Sequence, residues 1–163
     1  MYNKQDIVAE ARKWLGTNFH HQGRIKKCST NKGGCDCIGL VIGIIRDLEL
    51  PSTFKRKNGE TIPLYDFDYT NYSAQPSGAK MLELIGQHFT PIDISDAVPG
   101  DLMVFRFGSN PQHVGVVGDY VHGGLSIIHT YASANKVVEH HLSKNWLGRA
   151  VAAYSFKPEH LGK

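Results

Sequence analysis

Residues 36–48 constrain this chain most. Ile38, Leu40, Val41, Ile42, Ile44, Ile45 and Leu48 cover nearly every face of a single helix. A helix that is apolar all round must be wrapped by other elements. Asp36 stands at the N-cap position, where a carboxylate accepts the orphan N–H groups of the first turn, and Pro51 stops the helix. Two parts of the chain can do the wrapping. Residues 4–14 put Ile7, Val8, Ala11 and Trp14 on one helical face, ended by Gly16. After Pro99-Gly100, residues 102–107, 113–117, 126–131, 136–141 and 150–156 read as strands split by turn residues. Short consecutive strands without helices between them favour an antiparallel meander, so the expected class is α+β.

The 163 residues fit one domain, 1–163, and 41% hydrophobic content is enough for a packed core. A further amphipathic helix is expected over 77–88, opened by Ser77 and carrying Met81, Leu82, Leu84 and Ile85. Residues 17–34 read as a polar loop and 52–76 as a long connection. Net charge is +3, a mild bias compatible with an anionic partner. Nucleic acid is not expected, and Lys55-Arg56-Lys57 reads as a solvated loop. The first residues carry charge throughout and have no apolar leader core, so synthesis in the cytoplasm without a signal peptide is expected. No apolar run approaches the ~18 residues of a membrane span.

Cys37 is the strongest chemical candidate. At the first turn of the buried helix its thiol would feel the positive end of the helix dipole, which favours thiolate. Free backbone N–H groups at the same end suit an oxyanion. Gly39 leaves room there for a substrate or a neighbouring backbone. A cysteine nucleophile needs a base, and the base needs a third group to orient it. His113, at a strand start, is the candidate base, and His129, on the next strand, the candidate orienter. Read singly, each has a plain structural alternative: a small buried hydrophobe for the cysteine, a satisfied core group for the histidines. His140 and His141 read as decoration of an exposed strand end. Zinc held by Cys28, Cys35, Cys37 and His20 or His21 is the competing chemistry, but no Cys-x-x-Cys pair exists. Neither metal nor cofactor is expected.

The order Gly34-Cys35-Asp36-Cys37-Ile38-Gly39-Leu40-Val41, Pro99-Gly100-Asp101-Leu102, His113-Val114-Gly115, Ile128-His129 resembles the NlpC/p60 cell-wall peptidases over almost the whole chain. Trp14-Leu15-Gly16-Thr17, His21-Gln22, Cys35-Asp36-Cys37, Val137-Val138-Glu139 and Ala152-Ala153-Tyr154-Ser155-Phe156 are similar to the phage-type branch found in tail modules and gene-transfer agents. The resemblance implies a papain-like fold, with N-terminal helices and a nucleophile at a helix N-terminus packed on an antiparallel sheet. It implies a triad of Cys37, His113 and His129. It also implies hydrolysis of a peptidoglycan stem-peptide amide, typically between D-glutamate and the diamino acid. Action at the cell wall, with phage tail proteins as partners, follows from the branch. Two departures stand out. Ile38 replaces a serine that helps the preceding Asp hold the substrate amine, which leaves Asp36 alone for that task. Phe19 replaces a tyrosine, so His21 and Gln22 become the candidates to supply the missing donor. The rival from another class is a non-catalytic tail or wall-binding component that keeps the fold.

Overall fold

The computed structural model describes residues 2–50, 53–55, 58–63, 82, 85–108 and 110–157. Helix α1 (Lys4–Lys13) opens on a capping box. The Asn3 side chain accepts the Asp6 N–H at 3.0 Å, and the Asp6 carboxylate accepts the Asn3 N–H at 2.8 Å, which satisfies two orphan donors reciprocally. Ile7, Val8 and Ala11, with Trp14 just past the helix, are all buried in one core with α2 (Cys37–Asp47). The contact is close because residue 43 is glycine: a Cβ there would lie 2.2 Å from the Trp14 ring.

The wrapping that α2 requires comes from a six-stranded antiparallel sheet. Its members are β5 (Phe89–Ile92), β6 (Leu102–Phe107), β7 (Asn110–Asp119), β8 (Leu125–His129), β9 (Val138–His141) and β10 (Ala150–Phe156). Their order is β5-β10-β6-β7-β8-β9. Strands β6 to β9 form the expected meander. The last strand departs from it: after a short helix α3 (Lys144–Leu147), β10 returns to the other side of β6 and pairs there with β5. Side chains alternate between the two faces. Val104, Val114, Val116 and Ile128 join α1 and α2 in one core. Met103, Phe105, Val117, Ile127 and Ala153 form a second core on the far face, packed against Trp146 of α3.

The loop expected over 17–34 contains a two-residue pair, β1 (Arg24–Ile25) with β2 (Gly34–Cys35). The long connection contains a small hairpin, β3 (Thr53–Lys55) with β4 (Thr61–Pro63). Of the helix expected over 77–88, residues 82 and 85–88 are helical, and the rest lies outside the described residues. None of the described helices is long and apolar enough to cross a membrane.

Candidate active site

Asp36 organises the start of α2. One carboxylate oxygen accepts the Gly39 N–H at 2.8 Å as the N-cap. The other accepts the Gln22 N–H at 2.8 Å. Gln22 has φ 61°, a left-handed conformation that costs a non-glycine residue about 1–3 kcal/mol, and a bond to a buried carboxylate offsets it. His21 Nδ1 lies 3.9 Å from the same oxygen. Phe19 bridges Cys35 and donates its N–H to the Asn135 carbonyl at 2.9 Å. Asp36 therefore gathers the loop carrying Phe19, His21 and Gln22 against the helix start. The space beside Gly39 goes to the chain itself, since a Cβ at that position would sit 2.0 Å from the Gly23 carbonyl oxygen.

Cys37 is the first residue of α2 and is half-buried. Its sulfur receives the N–H of Val114, the residue after His113, together with the Ile38 and Cys37 N–H groups of its own helix end. Among the described residues no hydrogen bond joins the sulfur to His113. Burial pushes the Cys37 thiol up to about 12, with the Asp36 charge adding to it, and the three N–H groups pull back only part of the way. Burial therefore works against the helix-end thiolate expected from the sequence. Cys35, buried beneath it, is likewise pushed to about 12. Cys28 behaves oppositely. It is exposed, and hydrogen bonds from Thr30 lower its pKa. All three cysteines are free. No group of three or more His, Cys, Asp or Glu among the described residues is placed to hold a metal ion.

His113 and His129 are buried, and His113 Nε2 lies 2.6 Å from His129 Nδ1. The pairing follows from strand register. Val116 opposes Ile128, so continuing the ladder puts Gly115 opposite His129 and His113 on its diagonal. Glycine at 115 makes room: a Cβ there would lie 3.0 Å from the His129 Cβ and 2.7 Å from Ile127 Cδ1. Burial holds both imidazoles neutral, His113 down to about 3 and His129 down to about 2. For His129, repulsion from protonated His113 and His140 adds to the burial.

Sequence reading overlooked two neighbours. His140 is half-buried rather than an exposed decoration, and its Nε2 lies 2.8 Å from His129 Nε2. Trp146 covers the histidines, with ring centroids 6.1 Å from His113, 4.8 Å from His129 and 5.5 Å from His140. Phe107 stacks on His113 at 5.1 Å.

The NlpC/P60 family model matches residues 16–154, a span that holds the helix-start cysteine, the loop before it and all three histidines. The chain belongs to the NlpC/P60 family. Solved NlpC/P60 structures share its papain-like fold. The NlpC/p60 domain of the peptidoglycan hydrolase SagA superposes with a TM-score of 0.58 at 21% identity, over 94% of this chain and 99% of that one. An NlpC/P60 family protein from Bacillus cereus ATCC 10987 gives 0.58 at 18% identity, over 95% of this chain but 40% of that longer one. An N-acetylmuramoyl-L-alanine amidase from Bacteroides uniformis ATCC 8492 gives 0.57 at 12% identity, over 94% and 98%. No curated protein sequence matches the chain significantly.

Proposed function

We propose that this chain is a cysteine peptidase that hydrolyses an amide bond in the peptidoglycan stem peptide, specifically the bond between D-glutamate and the diamino acid. Family membership supports the class, and two structural neighbours are a peptidoglycan hydrolase domain and an N-acetylmuramoyl-L-alanine amidase. One observation carries the assignment: the Cys37 sulfur at the start of α2 takes the N–H of Val114, next in the chain to His113, whose Nε2 lies 2.6 Å from His129 Nδ1.

In this reading Cys37 is the nucleophile, His113 the base and His129 its orienter. The thiol proton passes to His113 Nδ1, the ring nitrogen that His129 does not engage, as sulfur attacks the amide carbon. Hydrogen bonds between base and nucleophile are often long in an empty site and tighten when substrate binds. The oxyanion that forms takes N–H groups at the start of α2. His113 then gives the proton to the leaving amine, and a thioester remains on Cys37. Water, deprotonated by His113, attacks the thioester, releasing the carboxylate and restoring the thiol. Asp36, the buried carboxylate at the start of α2, is the group that holds the substrate amine in this reading. Phe19, His21 and Gln22 line the approach, with His21 and Gln22 supplying the donor that Phe19 lacks. The resemblance of the Cys35-Asp36-Cys37 and His21-Gln22 segments to the phage-type branch supports a phage-derived protein that acts at the cell wall alongside tail proteins.

One observation favours a second reading. A thiol held near 12 without a bond to its base suits a wall-binding component that keeps the fold and has lost the chemistry. Incubating the wild-type chain with purified peptidoglycan and weighing the released fragments by mass spectrometry separates the two. New D-glutamate carboxyl termini support the peptidase. Intact stem peptides with the protein retained on the wall support the rival.

A further inference from the structure

We infer that His140 is a positioning residue that sets which nitrogen of His113 is free to take a proton, so that the working unit is a chain of three histidines. The inference rests on the reading of His113 as the base. It starts from one fixed point. His140 Nδ1 lies 2.9 Å from the backbone carbonyl of His141, and a carbonyl only accepts, so the proton on this ring is at Nδ1. With its one proton at Nδ1, His140 presents a bare Nε2, which lies 2.8 Å from His129 Nε2. His129 must therefore donate from Nε2 and accept at Nδ1. The 2.6 Å contact with His113 Nε2 is then a bond that His113 donates. A neutral imidazole carries one N–H, so His113 Nδ1 is left bare, and a bare nitrogen is what a general base needs.

The fold keeps this order of protons. His140 opposes Ile127 across the β8–β9 ladder, on the same face as His129 and on its diagonal. The Trp146 ring lies 4.8 Å from His129 and 5.5 Å from His140. The linked hydrogen bonds couple the three rings, so the carbonyl at one end dictates the tautomer at the other. The same logic shows how the device fails. A donor at position 140 would force His129 to accept at Nε2 and donate from Nδ1. His113 would then accept at Nε2 and carry its proton on Nδ1, where it cannot take another.

Three substitutions test this. His140→Gln keeps an acceptor at the reach of Nε2, His140→Leu removes it, and His140→Lys replaces it with a donor. On stem peptide, His140→Gln should stay close to wild type. His140→Leu should lose about 10–100-fold in kcat, the size of loss typical when the outer partner of an oriented histidine is removed. His140→Lys should approach the ~10⁴-fold loss that a wrong histidine tautomer produces. KM should barely move, because His140 touches no substrate. Nitrogen-15 NMR of histidine-labelled protein without substrate reads the tautomer directly. His113 should be the Nε2–H form in wild type and His140→Gln, and the Nδ1–H form in His140→Lys. An unchanged His113 tautomer across all variants overturns the inference, as does a wild-type kcat in His140→Leu and His140→Lys. The NMR result needs no turnover. Inactivity of the wild type on peptidoglycan would therefore sink the peptidase reading while leaving the tautomer order to be judged on its own.

Discussion

His113 Nε2 lies 2.6 Å from His129 Nδ1 across adjacent strands, and Gly115 is the residue that makes the approach possible. The motif His113-Val114-Gly115 thereby acquires a physical meaning. Residues two apart on a strand share a face. The histidine needs its partner's ring on that face, and the partner's Cβ occupies the volume a side chain at 115 would fill. Val114, between them, points the other way into the core with α2 and leaves its N–H for the Cys37 sulfur.

Gly115→Ala should separate the two histidines without unfolding the chain. The added Cβ meets the His129 Cβ at 3.0 Å and Ile127 Cδ1 at 2.7 Å, so something must shift. Overpacking of this kind costs about 1–3 kcal/mol. Urea unfolding should show that modest loss, while activity on stem peptide falls well beyond it. Wild-type activity in this variant would mean that the spacing of the two rings is unimportant.

His113→Ala removes the proposed base and should lower the rate by roughly 10²–10⁴-fold, the usual worth of general acid–base help. His129→Ala should cost less, because a base survives, though in a mixture of tautomers. Steady-state rates on stem peptide check both, and a larger loss at His129 than at His113 would reverse the assigned roles.

Thiol labelling should follow the environments of the cysteines. At neutral pH limited iodoacetamide should modify exposed Cys28, whose pKa is lowered, before Cys37 and Cys35, both held near 12 by burial. This reverses the order that helix position alone suggests. Peptide mapping reads it, and preferential labelling of Cys37 would show that a thiolate is present in the resting site.

Acid should weaken the fold before carboxylates begin to titrate. His113 and His129 have folded pKa values near 3 and 2, below the ~6.5 of an unfolded histidine. From pH 6.5 downward the unfolded chain binds protons that the folded one refuses, so stability is complete above 6.5 and declines as pH falls toward 3. Each group contributes a slope of up to ~1.4 kcal/mol per pH unit. Between pH 6.5 and 5 the two together should remove about 2–4 kcal/mol of unfolding free energy. A flat profile from pH 7 to 5 in urea titrations would contradict neutral, buried imidazoles.

Much of the architecture was legible because local pattern and tertiary role agree. Strands β6 and β10 begin and end where alternation and turn residues place them, and α2 begins at its capping aspartate. Strand β5 was not legible. It contains Pro91, which a sheet tolerates at an edge, and its partner among the described residues is β10, more than fifty residues away in sequence. The site divides similarly. Cys37 is singled out by its place at a helix start and His113 by an expected strand start, although β7 begins three residues earlier, at Asn110. His140 is not singled out this way, because its link to His129 depends on the β8–β9 register, which no local signal fixes. The helix dipole at Cys37 can be read from sequence, whereas the burial that raises its pKa depends on what packs over the sulfur.

The central claim is that Cys37 carries out amide hydrolysis in peptidoglycan. Its most direct test compares wild type with Cys37→Ala on the same purified peptidoglycan, with fragments read by mass spectrometry and folding of both proteins checked by circular dichroism. The account expects wild type to release stem-peptide fragments with new D-glutamate carboxyl termini and folded Cys37→Ala to release none. Fragments of the same mass and amount from Cys37→Ala would contradict it.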